Sequence, residues 1–464
     1  MNTDQCEIEF DAEMLKKRRP WYYLAGALFL SSLVLQQPLI FLAALFTFMV
    51  GLIPELWYRR ALRHLTARQW VNQRHLFFGE EVTLAMSIEN QKLLPLPWLQ
   101  VDNKITPPLA LSRTHTSTPS LQKTPQDTLA SSWLLWSLQR VTRYYRMHAQ
   151  ARGFHIFGPV RMRSSDPFGW LETEVTIPYG EALLVYPLIA PLEAFGLSSI
   201  HPLGDYSSHY PLLEDPLRIA GVRDYQIGDD PRRIHWKATA RLGELQSKIY
   251  EPSSLRRFLV LLDTYNHSPD LRETDKDIQE LTISVAASFA MWALDEGYMV
   301  GLLANSSMIM IPSRFAEGAT TKAGRPLADT VEALNKVSPP GVSITFASDY
   351  SQYELILSTL ARLVPAYHTP IEHCIDTQDD MFPLGTTIVL VSTASTVSRA
   401  TIERLTNMRA RGCTTHLILT GDRQNQPLAE QLNLPVHYAG GKEKWHEITS
   451  NIRDGTSTAS LQLD

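Results

Sequence analysis

A chain of 464 residues, 44% of them hydrophobic, can bury at least one full core and, at about 150 residues per domain, has room for two or three domains. That excludes a peptide, a fibre and a disordered scaffold. Forty-three basic against 48 acidic residues give a net charge of -5, without the dominant positive field that bulk nucleic-acid binding requires.

The acid excess is local. Asp4, Glu7, Glu9, Asp11 and Glu13 fall within the first 13 residues, and Lys16, Lys17, Arg18 and Arg19 follow, so residues 1–20 read as an acidic then basic tail. Cys6, Cys374 and Cys413 are far apart in sequence and lack CxxC spacing, and any pairing leaves one over; this fits a reducing compartment.

From Trp21 to Tyr58 the sole charged residue is Glu55. The stretch is about twice the roughly 20 apolar residues that cross a hydrocarbon core. Gln36, Gln37 and Pro38 interrupt it, which predicts two helices, about 21–36 and 38–57, forming a transmembrane hairpin over 21–58 in contact with the lipid bilayer. Trp21, Tyr22 and Tyr23 at one end and Trp57 and Tyr58 at the other suit an interfacial aromatic belt. Basic residues precede the hairpin, and Arg59, Arg60 and Arg63 follow it. By the positive-inside rule both ends, and with them the bulk of the chain, lie in the cytoplasm of a multi-pass inner-membrane protein. A cleaved secretory signal would instead end at a small-residue site after one short apolar run.

Residues 74–190 carry strand signals: EEVTLAMSIEN alternates apolar and polar residues, and RVTRYYRMHAQARG, FHIFGPVRMRSSDPFGWLE and ALLVYPLI are parted by Gly, Pro and Asp. They predict a β-rich, sandwich-like domain, with a long exposed loop over the Pro, Ser and Thr-rich residues 107–131. Residues 191–254 form a connector. Within it Asp230 and Pro231 are an N-cap and first-turn pair, predicting one helix, RRIHWKATARL, that ends near Gly243, then a strand LQSKIYE. Over 255–464 buried strands RRFLVLLDT, YMVGLLAN, MIMIP, TTIVLVS and TTHLILTGD alternate with helices, among them 277–297, about 325–337, 351–363, 397–412 and 441–452. That pattern predicts a parallel sheet in a doubly wound α/β domain.

The block Gly221-Val222-Arg223-Asp224-Tyr225, Gly228-Asp229-Asp230, Arg232-Arg233-Ile234-His235-Trp236-Lys237, Ala240-Arg241 and Glu251 resembles the signature of the domain-of-unknown-function family 58. The order of a hairpin, a strand-rich segment with RGFHIFGP and DPFGW, and an α/β domain agrees with it. The resemblance implies a von Willebrand factor A-like fold for 255–464 and a bacterial or archaeal membrane protein often associated with a MoxR-type AAA+ ATPase. It implies no activity.

Three readings of this charged block stand side by side. In the first, Arg-carboxylate forks and a buried Trp236 clamp the segment to the α/β domain, with Asp229, Trp236 and Arg241 structural. In the second it is a docking surface, in which Arg233, Lys237 and Arg241, spaced by four on the expected helix, share a face and Arg232 and Trp236 form another row. The interaction residues are then Arg223, Tyr225, Gly228, Asp229, Asp230, Arg232, Arg233, Trp236, Lys237 and Arg241. In the third, Asp229, Asp230 and His235 are catalytic, although one His beside two acids names no reaction.

A metal-binding von Willebrand A domain, by the family pattern, presents Asp-x-Ser-x-Ser after its first strand, hard oxygen ligands for a divalent cation. Here Asp263-Thr264-Tyr265-Asn266-His267 keeps the Asp and replaces both serines, and Ser392, Thr393 and Ser395 stand where the family has an acid. Asp263 is therefore expected to be a strand-end residue in a degenerate site, with no metal and no cofactor. Cys374 beside His373 reads as a core or loop cysteine, and Asp379-Asp380 as a solvated turn. GxxxxGK[ST], HExxH and GxSxG are absent. The expected function is a non-enzymatic, membrane-anchored adaptor facing the cytoplasm and working with a MoxR-type ATPase in protein assembly, maturation or envelope stress. The alternative is a membrane-tethered, metal-dependent hydrolase using Asp229, Asp230, His235 or Asp263.

Overall fold

The computed structural model describes residues 8–9, 19–105, 109–110, 128–166, 168–177, 180–197, 214–252, 256–265, 276–310, 337–364, 369–421 and 434–453. The chain divides into two compact units, residues 1–187 with 309–338, and residues 188–308 with 339–464.

In the first unit, helix α1 (Arg19–Leu35) and helix α2 (Pro38–Arg60) are joined through Gln36 and Gln37, and Pro38 starts α2 where its missing N–H costs nothing. They run antiparallel and packed together: Tyr22 Oη donates to Glu55 Oε2 at 2.6 Å, Tyr22 meets Phe48 edge-on, and Phe29 meets Phe41. Gly51 lies under the Tyr22 ring, where a Cβ would sit 3.6 Å from it. Of the two, α2 is long and apolar enough to cross a membrane, and α1 is shorter. Lys16, Lys17 and Arg18 lie outside the described residues.

Eight longer strands follow: β1 (Leu65–Val71), β2 (Glu81–Asn90), β3 (Leu96–Ile105), β4 (Thr128–Leu135), β5 (Arg140–Ala149), β6 (Gly153–Ser165), β7 (Glu172–Ile177) and β8 (Glu181–Val185). One sheet pairs β1 with β2 and β2 with β5, and the other pairs β4 with β3, β3 with β6, and β6 with both β7 and β8, all antiparallel. Met86 and Ile88 of the first sheet share a core with Leu99, Val101, Val160, Met162 and Val175 of the second, so the two pack face to face as a sandwich. The sandwich starts at Leu65, ahead of the expected residue 74. Of the long loop expected over 107–131, residues 111–127 lie outside the described residues, and 128–131 belong to β4.

Trp57 and Tyr58 depart from the aromatic-belt expectation. Tyr58 is 2% exposed and Trp57 packs against the sandwich core beside Ala61 and Leu62. These rings bury more apolar area against protein than an interface would give them. At the same end, Trp21 stacks on Trp170, which stacks on Phe168 in the β6–β7 turn. Asp166 organises that turn, its buried carboxylate accepting N–H bonds from Phe168 (3.1 Å), Trp170 (2.7 Å) and Leu171 (2.6 Å).

The second unit contains an antiparallel arm, β9 (Glu214–Asp224) with β10 (Gln246–Pro252), and between them a short helix α3 (Trp236–Leu242). A six-stranded sheet follows. Its members are β11 (Arg257–Leu262), β12 (Met299–Ala304), β13 (Val342–Ala347), β14 (Thr387–Thr393), β15 (Thr414–Thr420) and β16 (Val436–Tyr438). Spatial order is β13-β12-β11-β14-β15-β16, parallel except for the edge strand β13. Helix α4 (Lys276–Asp295) packs on β11, β12, β14 and β15, and α5 (Tyr350–Arg362) and α8 (Lys442–Arg453) pack on α4. The other face carries α6 (Ile371–Thr377) and α7 (Arg399–Ala410), whose Ile371, Cys374, Ile402 and Leu405 bury Leu259, Leu261, Leu390 and Leu417. The doubly wound expectation holds for RRFLVLLDT, YMVGLLAN, TTIVLVS and TTHLILTGD, whereas MIMIP does not join the sheet, its Met308 pairing with Leu363 in a separate two-stranded ladder, and the antiparallel edge strand β13 departs from the expected parallel sheet. The helix expected at 325–337 lies outside the described residues.

Removing the Asp166 carboxylate leaves three N–H groups of the aromatic turn without their acceptor. Asp166→Ala is expected to cost about 2–4 kcal/mol in urea unfolding. A cost below about 0.5 kcal/mol would show that the turn does not depend on it.

Candidate functional site

Two places in the second unit concentrate chemistry-bearing residues: the β9–β10 arm and the C-terminal ends of the parallel strands.

The arm departs from the expected single helix. Pro231–Arg233 form one 3-10 turn, started by Asp230 Oδ1 accepting from Arg232 N at 3.0 Å. Ile234 then takes an extended conformation and bridges to Ser247, while His235 N donates to Gln246 O at 2.8 Å. Strand pairing therefore wins over helix continuation, and α3 starts afresh at Trp236, with His235 Nδ1 accepting from Ala238 N at 3.0 Å as the cap. Gly243, at φ 78°, ends it. Lys237 and Arg241 keep the spacing of a shared helical face. Arg233 lies on the preceding turn, off that row, and the Arg232–Trp236 row is likewise broken.

Asp229 organises the β9–α3 turn. Its Oδ1 accepts from Arg223 Nη2 at 2.7 Å and its Oδ2 from Gln226 N at 3.1 Å, while Tyr225 Oη donates to Asp229 O at 2.9 Å. The Gln226 N–H, aided by the Arg223 guanidinium and outweighing desolvation, holds the carboxyl below the usual carboxylate range. Gly228, at φ 114°, supplies the left-handed step beside it. Asp224 accepts from Gln246 Nε2 at 2.7 Å. Asp229, Asp230 and His235 thus spend acceptor atoms on turns and caps, which is structural work. The clamp expectation fails for two of its three residues: Trp236 is 68% exposed and Arg241 is exposed, so neither is buried against the α/β domain. Ile227 is fully exposed, and Val222, Leu242, Leu245 and Ile249 are also exposed. Arg232, Lys237 and Arg241 are exposed as well, and six basic and four acidic residues fall between Gly221 and Ile249.

At the strand ends, Asp263 follows β11 directly and is 3% exposed. Its Oδ1 accepts from Asn305 Nδ2 (2.7 Å) and Tyr265 N (3.0 Å), and its Oδ2 from Ser392 Oγ (2.8 Å). Asn305 Oδ1 accepts from Thr264 N at 2.9 Å, Thr264 and Ser306 share a hydroxyl bond of 2.6 Å, and Ser392 reaches Thr396 at 3.1 Å. Asn305, Ser306 and Ser392 are fully buried. The strand order reverses between β11 and β14, so this cluster occupies the switch point where open α/β sheets commonly bind ligands. Burial pushes the Asp263 carboxyl above its usual range, only partly offset by the Tyr265, Ser392 and Asn305 donors, and Glu372 adds to the rise. No cation pairs with it among the described residues, and no group of three or more His, Cys, Asp or Glu there could share a metal. The Asn305 and Tyr265 N–H groups aimed at Oδ1 repel a cation, so the atoms present do not fit a divalent ion. Asn266 and His267 lie outside the described residues.

Asp263 does sit at a strand end, as expected, and there it is the centre of a buried hydrogen-bond hub. Asn305 and Ser306 carry no sequence motif, and the one local signal is that Asn305 is the polar residue ending the apolar run YMVGLLA on the strand beside β11. Cys374 and Cys413 are buried in the core, and burial pushes both thiols up. Asp380 follows the expected turn, in the short 3-10 segment Asp379–Met381.

Residues 221–352 match the family model described as "Protein of unknown function DUF58". The Uncharacterized protein YeaD of Bacillus subtilis (strain 168) is 24% identical over 244 residues, which is 52% of this chain; the chain spans 56% of that relative's length. Among solved structures, the CARDB domain of a Pyrococcus furiosus protein (TM-score 0.18, 9% identity) covers 26% of this chain and 91% of its own. A cohesin module from a Clostridium perfringens family 33 glycoside hydrolase (TM-score 0.20, 9% identity) covers 26% of this chain and 96% of its own. Scores this low carry no argument about fold or activity.

A raised folded-state pKa means that protonated Asp263 stabilises the fold fully below the unfolded value of about 3.9, and that this contribution is lost as pH rises through the folded value. An Asn amide reproduces the protonated acid, its oxygen accepting from Asn305 and Tyr265 and its NH2 donating to Ser392. Asp263→Asn should therefore stay within about 1 kcal/mol of wild type near pH 7 and flatten that pH slope, while Asp263→Ala should lose about 2–4 kcal/mol. Equal losses in both variants would show that the hub is an ionised carboxylate.

Proposed function

The chain belongs to the DUF58 family, and from that premise we propose that it is a membrane-anchored, non-enzymatic adaptor that docks a protein partner through the β9–α3–β10 arm. The observation that carries this reading is the exposure of Trp236, Ile227, Leu242 and the Lys237–Arg241 face on an arm whose Asp224, Asp229 and Asp230 carboxylates are already engaged. Solvent-exposed aromatic and aliphatic side chains beside Arg and Lys have the composition of interface hot spots. Asp229 is neutralised by Arg223 within the arm, and Lys237 and Arg241 share an exposed helical face that suits an acidic partner surface. A MoxR-type AAA+ ATPase is the partner we infer, with assembly, maturation or stress handling of envelope proteins as the process.

The remainder follows the same reading. The 255–464 segment is a von Willebrand factor A-like domain, supported by its sheet order, with Asp263 and its neighbours closing the switch point by hydrogen bonding. The α1–α2 pair is a transmembrane hairpin with both ends, and the bulk of the chain, on the cytoplasmic side. Supporting the anchor are the length and apolar surface of α2, the basic residues after it, and the Trp21, Trp170 and Phe168 stack beside the start of α1. The hydrolase alternative gains no support, because Asp229, Asp230, His235 and Asp263 are committed to turns, caps and a buried hub.

Trp236→Ala and the double reversal Lys237→Glu with Arg241→Glu should leave unfolding stability within about 1 kcal/mol, because the residues are exposed. Recovery of the ATPase with the full chain from native membranes should drop at least tenfold in both. Recovery by the wild type should fall as salt rises past about 0.15 M, where screening acts over roughly 8 Å. Unchanged recovery from both variants would refute the arm as the docking surface.

A further inference from the structure

The first unit holds a cavity of about 490 Å³ at the C-terminal end of α2, lined by Leu56, Arg60, Arg63 and His64 on one side and by Lys92 and Leu93 of the β2–β3 turn on the other. Three observations fix its character. Lys92 Nζ donates to the carbonyls of Ala61 and Arg63, so it caps the negative end of the helix. The Arg60 and Arg63 guanidiniums, by contrast, have no carboxylate partner among the described residues; the nearby Glu55 is taken by Arg59 and Tyr22. Leu56 (41% exposed) and Leu93 (78% exposed) give the same opening an apolar lip.

Depth decides the ligand. Helix α2 has 23 residues and, at 1.5 Å each, is about 35 Å long, against a hydrocarbon core of about 30 Å. If it spans, Arg60 and Arg63 come out at the level of the phospholipid phosphates, with the two leucines just below, among the first methylenes. We propose that this cavity is a binding site for the headgroup of an anionic phospholipid. The lipid phosphate is held by the Arg60 and Arg63 guanidiniums, which suit bidentate phosphate contacts, and the upper acyl chains lie on Leu56 and Leu93. The site rests on the membrane anchoring proposed above. It would tie the pose of the sandwich on the bilayer to lipid charge, since Asn90 at the base of the same turn donates to Leu94 O at 2.9 Å and Trp136 O at 3.0 Å and so holds it to the sandwich.

The test uses the full chain, purified in neutral detergent and partly delipidated, with lipid binding followed by native mass spectrometry. Phosphatidylglycerol should bind at least tenfold more tightly than phosphatidylcholine. The Arg60→Gln, Arg63→Gln double variant should bind it about 30-fold more weakly, given roughly a fivefold contribution per basic group. The Arg60→Lys, Arg63→Lys variant keeps the charge and should retain most of the preference, which separates loss of the site from loss of the fold. Equal affinity for the two lipids, or an unchanged double Gln variant, overturns the proposal. So does inorganic phosphate at millimolar concentration binding in place of lipid, which would assign the cavity to soluble phosphate compounds. Washing native membranes with alkaline carbonate distinguishes the two levels. Release of the chain sinks the anchor and this site with it, whereas retention combined with no lipid preference sinks the site alone.

Discussion

Much of the second unit follows from one constraint: a parallel sheet of apolar strands has two hydrophobic faces, and both must be covered. Phe258, Val260 and Leu262 alternate with Leu259 and Leu261 along β11, and all are fully buried. Helix α4 with α5 and α8 therefore covers one face, and α6 and α7 the other. With the faces closed, Asp263, Asn305, Ser306 and Ser392 meet at the strand ends as a buried polar cluster. The β9–β10 arm lies outside this sheet, pairs with itself and keeps Val222 and Ile249 exposed.

The switch point is filled by a hub of side-chain bonds instead of ligand-ready groups. Burial raises the pKa of this carboxyl, which has no cation beside it among the described residues, and the three N–H and O–H donors around it offset the rise only in part. Among the described residues, the part of the domain that elsewhere in doubly wound folds binds ligands is here a hydrogen-bonded hub, and recognition is proposed to lie on the arm instead.

Much of this was legible in the residues. The apolar runs RRFLVLLDT, TTIVLVS and TTHLILTGD gave the strands, and Gly297 ended α4 as expected, at φ 77°. Helix α8 lay within a residue or two of its expected limits. What could not be read was non-local competition. Asp230-Pro231 does start a turn, but the pairing of Ile234 and His235 with Ser247 and Gln246 stops it after three residues, and only the fold brings those residues together. Composition also misplaced three aromatics. Trp236 is a large ring beside charges that would ordinarily be buried, and it is exposed. Trp57 and Tyr58 had the look of an interfacial belt, and they seat α2 on the sandwich. Asn305 escaped notice because a single strand-end amide has no pattern of its own.

The central claim is that the arm recognises a partner while the closed α/β domain only presents it. The direct measurement is site-specific photocrosslinking from position 236 in intact cells, with the product identified by mass spectrometry. The account predicts a dominant crosslink to a MoxR-type AAA+ ATPase that disappears when Lys237 and Arg241 are reversed in charge. A probe at 236 that crosslinks only to its own chain would contradict it.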